Sequence, residues 1–224
     1  MLYLHPRRTE RDPRMTVYIV SGDRRSGSSL MMAALVAGGM EAHYDPDHTR
    51  RLAESVEIRR KVGAAFEAAG RDVMCYEPLA MGHFEIYEPA SEEIRQMDFP
   101  REHDGKVIKI KWGGLPNLAV MKSGYRYIIM LRDPAEIVAE LGGDEGREFL
   151  RSKEAYHGHF MQVQNLLLNR SDTRTVTRMR FREELIANPE HEFARLRSLG
   201  WPITDPFAAL AAVEAGLVHL PEAV

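Results

Sequence analysis

Apolar residues run without a break from Val17 to Val20 and stop at Ser21-Gly22. A short run of this kind, bounded by a glycine turn, reads as a strand buried on both faces over Val17–Ser21. Ser28–Val36 has the leucine and methionine content of a helix, closed by Gly38-Gly39. Arg126–Leu131 is the second strong buried strand, and after it Pro134 takes a helix N1 position with Asp133 as N-cap. Lys106–Trp112 alternates charge with Val and Ile, which reads as a strand near a sheet edge. Thr173–Phe181 is β-rich, and the basic stretch Arg174–Arg182 alternates Arg with Thr, Val, Met and Phe, as an edge strand with one solvated face does. Asn188-Pro189 opens a helix that runs to Leu199 and ends at Gly200, and Asp205–Gly216 reads as a final helix. Fainter signals predict one or two surface helices over His48–Ala69 and a short strand over Val73–Tyr76. They also predict a short helix over Ser91–Gln96, a helical turn from Pro116 and a long helix over Glu148–Asn169.

Strands alternate with helices, so the expected fold is α/β: three layers, with a central, mostly parallel sheet flanked by helices. At 224 residues, with no repeat and no linker-like segment, a single domain over residues 16–224 is the simpler organisation. Residues 1–15 read as a tail, with Met15 as well as Met1 a candidate start. A net charge of −3 supplies no global basic field for nucleic acid. The one cysteine, Cys75, excludes an internal disulfide framework and suits a reducing, cytoplasmic setting. No apolar run approaches the length of a membrane span, and the charged N-terminus lacks the apolar core of a secretory signal.

The chemistry concentrates between the first strand and the first helix. Gly22 and Gly27 have the spacing of a phosphate-binding loop, with Ser28 and Ser29 directly after. A strand that feeds such a loop into a helix N-terminus makes an anion site from main-chain N–H groups and the helix dipole. The usual Walker lysine is missing: Ser28 stands in its place, and Arg24 and Arg25 lie inside the loop instead. Hydroxyls of Ser28 and Ser29 would donate to anion oxygens, and Arg25 would add a bidentate positive charge. The expectation is therefore a phosphate or sulfate held otherwise than in an ordinary ATPase.

Arg25-Ser26-Gly27-Ser28-Ser29 resembles, residue by residue, the 5′-phosphosulfate loop of the sulfotransferases that use 3′-phosphoadenosine 5′-phosphosulfate (PAPS). Arg24 stands where that family usually has proline. The strand ending in Arg132-Asp133-Pro134 is similar to the family's 3′-phosphate segment, and the resemblance makes Arg132 the arginine on the 3′-phosphate. Lys109–Pro116, Gly82–Glu85, Phe181–Pro189 and Leu199–Pro202 are similar to further family segments. Two departures stand out. Glu140 occupies a position that usually holds a phosphate-binding serine, and the Arg-Lys-Gly loop of eukaryotic cytosolic members is absent.

The resemblance implies transfer of a sulfuryl group from PAPS to a hydroxyl or amine on a small molecule, a sugar or a lipid. It gives Gly22, Arg24, Arg25, Ser26, Gly27, Ser28, Ser29 and Arg132 as nucleotide-binding residues and requires no metal. Arg25 and the loop amides would serve the leaving group, with a proton supplied by Lys109, Lys111 or water. Glu85 and Glu77 are the leading candidates for the base, followed by Asp45, His43 and His83. His157 and His159 point apart on a helix and make no metal pair. Two other readings stay open at this stage: a different P-loop transferase such as a kinase, and a nucleotide-binding module without chemistry.

Overall fold

The computed structural model describes residues 16–23, 25–43, 103–110, 124–143, 146–147, 149–151 and 176–217. Elements are numbered over these residues. Five strands form one parallel sheet: β1 (Val17–Gly22), β2 (Ala42–His43), β3 (Val107–Lys109), β4 (Tyr125–Leu131) and β5 (Val176–Arg180), in the order β2-β3-β1-β4-β5. The central pair is β1 and β4, aligned from Val17↔Tyr125 to Gly22↔Met130. These are the two strongest apolar runs in the chain, and both are buried, as central strands of a parallel sheet must be.

Helices α1 (Ser28–Ala37), α2 (Pro134–Leu141), α3 (Pro189–Ser198) and α4 (Pro206–Leu217) flank the sheet. The connection through α1 carries the chain toward β2, and the connection through α2 carries it the opposite way, from β4 to β5. Parallel crossovers are right-handed, so opposite directions place α1 and α2 on opposite faces, giving the three layers expected. The main core joins Tyr18 and Val20 of β1 and Ile128 and Met130 of β4 to α1, α3 and α4 through Leu30, Met31, Met32, Leu35, Phe193, Leu196 and Val213. Helix α1 is apolar nearly all round because it is sandwiched between the sheet and α4. Its end is capped from the α4 side: the Gly38 carbonyl accepts from the amides of Thr204 and Asp205 at 2.9 and 3.1 Å.

Several local expectations hold to within a residue. Asp133 caps α2 by accepting from the Ala135 amide at 2.8 Å, with Pro134 at N1. Asn188-Pro189 opens α3, although the Asn188 side chain donates to the Glu183 carbonyl instead of capping the helix. The strand read over Lys106–Trp112 near a sheet edge is present as β3, Val107–Lys109 in the described residues, directly beside the edge strand β2. Between β5 and α3 the chain forms a π-helix, Phe181–Ile186, that the sequence reading did not foresee. The readings over His48–Ala69, Val73–Tyr76, Ser91–Gln96 and Pro116, and Glu148–Asn169 beyond residue 151, lie outside the described residues, as do residues 1–15.

Among the described residues no helix is long and apolar enough to cross a membrane.

Candidate functional site

In an open parallel sheet the ligand crevice lies at the C-terminal ends of the strands, where successive connections leave in opposite directions. Here that point falls between β1 and β4, and the loop after β1 faces the segment after β4 across it.

The backbone of this loop alternates. Arg25 is the one described non-glycine residue with positive φ, at 65°, Ser26 returns to negative φ, and Gly27 is left-handed again at 88°. Alternation of this kind turns successive N–H groups toward one side and makes a concavity for anions. Gly27 is also the N-cap of α1, with no side-chain cap, and the first i→i−4 bond of the helix runs from the Met31 amide to the Gly27 carbonyl. The amides of Ser28, Ser29 and Leu30 therefore precede the helical ladder and, as at any helix start, have no intrahelical acceptor.

Both glycines are demanded by close packing. A β-carbon on Gly22 would lie 2.8 Å from the Met130 carbonyl oxygen and 2.3 Å from Ser26 Oγ. One on Gly27 would lie 2.1 Å from Cδ2 of Phe181, whose ring is wedged against the loop. Ser26 is only 1% exposed, and its hydroxyl is buried without a hydrogen-bond partner among the described residues. Among the described residues the loop thus presents, on one short stretch, helix-start amides without an intrahelical acceptor and a buried hydroxyl without a partner, a set that would suit an anionic group.

Positive charge arrives from two neighbouring strands. Lys109, the last residue of β3, is 8% exposed, and its Nζ donates to Ser29 Oγ at 2.8 Å. Arg132, just past β4, donates from Nη1 to the Arg25 carbonyl at 3.0 Å and from Nε to Glu136 at 3.1 Å. Its guanidinium also lies 4.9 Å from the centre of the Phe181 ring. In the molecule as folded, Arg132 clasps the loop. Glu136 accepts a further bond from Arg182 Nε at 2.6 Å. Burial raises the Glu136 pKa, but the hydrogen bonds and charges of Arg182 and Arg132 outweigh it and hold the carboxyl below its usual range.

Of the residues singled out from sequence, Gly22, Arg25, Ser26, Gly27, Ser28, Ser29 and Arg132 come together at this crevice. Lys109 joins them through Ser29. Arg24, Lys111, Glu77, Glu85, Asp45 and His83 lie outside the described residues. Glu140 falls within α2, but its side chain is likewise outside. His43 is placed at β2, with its ring 4.0 Å from that of His103. Phe181, Glu136 and Arg182 were missed as parts of the site. Only the long-range packing of Phe181 on Gly27 and of Arg182 on Glu136 reveals them, and no local spacing encodes it.

The geometry defines a parallel α/β protein whose switch point holds a glycine loop, a helix start, a buried lysine and a clasping arginine. No protein-family model matches the chain, and no curated protein matches it.

Proposed function

We propose that this protein is a sulfotransferase-like enzyme that moves a sulfuryl group from PAPS to a hydroxyl or amine of a small-molecule, sugar or lipid acceptor. The observation that carries the reading is the Lys109 Nζ–Ser29 Oγ bond beside an uncapped helix start. This bond supports the reading because a strand-borne ammonium would serve in place of the loop lysine and metal ion of an ordinary P-loop enzyme.

In sulfuryl transfer the acceptor oxygen bonds to sulfur as the bond from sulfur to the bridging oxygen of the leaving phosphate breaks. The acceptor proton passes to a base, and negative charge builds on the bridging oxygen. Positioning and fixed positive potential dominate such transfers. The amides of Ser28 and Ser29, the Lys109 ammonium and the Arg25 guanidinium would hold the leaving phosphate and absorb that charge. Arginine stays protonated, so Arg25 acts by charge alone. A lysine, Lys109 or Lys111, or a water would supply a proton. Glu85 or Glu77 would accept the acceptor's proton.

The test is calorimetric titration with adenosine 3′,5′-bisphosphate, compared with ATP plus Mg²⁺, followed by a sulfate-transfer assay on a panel of hydroxyl and amine acceptors. The expected result is binding of the bisphosphate in the absence of metal, with most of that affinity lost in Arg25→Ala. Preferential binding of ATP–Mg²⁺ would move the reading to a kinase-type transferase. Bisphosphate binding with no transfer to any acceptor would leave a binding module.

A further inference from the structure

Arg126 is the second residue of β4, at the opposite end of the sheet from the glycine loop. It stands beside Tyr18 in the register of β1 and β4. At about 3.3 Å per residue it lies roughly 20 Å from Arg132 along the same strand. Its guanidinium rests on the turn that ends α3. Gly200 in that turn has φ 86°, and a β-carbon there would lie 3.0, 3.1 and 3.3 Å from Nη1, Nη2 and Cζ of Arg126. Glycine thus lets the guanidinium lie flush against the turn. Tyr18 closes the same corner: its hydroxyl donates to the Gly200 carbonyl at 3.1 Å, and its ring centre is 4.8 Å from that of Trp201.

Nη1 of Arg126 is buried and has no hydrogen-bond partner. An acidic group is near. Burial raises the Tyr18 pKa, Arg126 lowers it and Asp104 raises it, so both charges act on the same phenol. Yet Asp104 Oδ1 accepts from the Thr16 amide at 2.7 Å, and among the described residues no carboxylate pairs with Arg126. A buried donor left unmet is costly, more so on a charged group. Folded proteins meet such donors with a protein acceptor, an ordered water or a bound ligand. Arg126 as a whole is only partly buried, which leaves an approach from solvent.

We propose that the corner made by Arg126, Gly200 and Tyr18 is a separate binding site for a small carboxylate, which accepts from Arg126 Nη1. The site owes nothing to the glycine loop and stands whether or not the loop holds a nucleotide. Two features select the ligand class. A guanidinium presents a planar fork, which a planar carboxylate matches with two parallel hydrogen bonds. One arginine with Asp104 close by balances a single negative charge, so a doubly charged sulfate or phosphate is disfavoured. A bound carboxylate meets the open donor and stabilises the corner where β4 and β1 meet the α3 turn, so occupancy raises the stability of the fold by mass action.

The test is thermal unfolding of the full chain titrated with acetate and with formate, each replacing chloride so that ionic strength stays constant. Tm is expected to rise saturably, by about 3–6 °C at about ten times the Kd. Arg126→Met should abolish the rise. Arg126→Lys keeps the charge without the fork and should retain no more than about half of it. Broadening of the carbon-13 acetate resonance on adding protein, lost in Arg126→Met, reads the same binding independently of stability. Lys109→Met, at the other end of the sheet, should keep both responses. No rise in Tm, a rise that never saturates, or an equal rise in Arg126→Met refutes the site. A response kept in Arg126→Met and lost in Lys109→Met also refutes it, because the carboxylate then sits at the loop.

Discussion

Gly27→Ala is the sharpest probe of how the anion loop is built, because two separable costs meet at that residue. Gly27 has φ 88°, a left-handed conformation that costs an L-residue roughly 1–2 kcal/mol. Its added methyl would lie 2.1 and 2.5 Å from Cδ2 and Cε2 of Phe181. That ring is 2% exposed and belongs to the main core, so it has no open space to retreat into. Overpacking of a filled core costs about 1–3 kcal/mol. Together the substitution should destabilise the fold by about 2–5 kcal/mol. For a chain of this size each kcal/mol lowers Tm by about 2–4 °C, which predicts a fall of roughly 4–20 °C. Thermal unfolding followed by circular dichroism reads this directly. The two costs are separated by a double-mutant cycle with Phe181→Ala, which removes the steric term and leaves the φ term. The expected coupling is about 1–3 kcal/mol in the direction that makes the double variant less unstable than the sum of the singles. A Gly27→Ala protein that melts within 1–2 °C of wild type (about the 0.5 kcal/mol of an ordinary surface substitution) would refute both the left-handed turn and the Phe181 wedge. Additivity in the cycle would refute the wedge alone.

Three further outcomes follow from the same structure. Lys109→Met should weaken bisphosphate binding by about 10–100-fold, the size of a lost charge-assisted hydrogen bond, as read by calorimetry. His103 is held neutral by burial, by His43 and by Lys106, which lower its pKa from 6.5 to about 4. The unfolded chain takes up that proton first, so this contribution to stability is full above pH 6.5 and is lost as pH falls toward 4; denaturant midpoints for His103→Gln should show a flatter profile across that window. Arg195 donates from Nε to the buried carboxylate of Glu192 at 2.7 Å, and Arg195→Met would leave that charge with only His191 Nε2, at 4.0 Å, at a cost of up to about 3–5 kcal/mol, read as a lowered urea midpoint.

The central strands and the helix starts were legible because local chemistry dictates them. Val17–Val20 and Tyr127–Leu131 are apolar on every residue, which only a doubly covered strand tolerates, and Asp133-Pro134 carries its cap in its own two residues. The place of β3 beside the edge strand was legible, but the direction of Lys109 was not, because alternating Lys and Ile normally signals a solvated face. Lys109 instead turns inward and meets a hydroxyl that lies 80 residues earlier in the chain. The π-helix escaped for a related reason. Phe181–Ile186 has an ordinary helical composition, and its wide turn accompanies a ring fixed on Gly27, a contact between segments far apart in sequence.

The serine at the Walker-lysine position reads differently along the chain and through the sheet. Read along the chain, position 28 is a serine, and the loop lacks the lysine of an ordinary P-loop. Read through the sheet, a lysine reaches the loop from the adjacent strand: Lys109 donates to Ser29, the residue directly after position 28. A lysine on the loop itself is carried by a flexible stem and must be ordered by its ligand. A lysine at a strand end, 8% exposed, loses its rotamer freedom when the protein folds. Folding therefore bears the ordering cost, and a ligand meets a charge already in place, which is how preorganised sites gain affinity for developing negative charge. The clasp of Arg132 on the Arg25 carbonyl has the same logic, since it fixes a strained loop residue from a neighbouring strand before any ligand arrives. Both cations make the site a property of the sheet's topology, with β3, β1 and β4 each delivering one part to a single crevice.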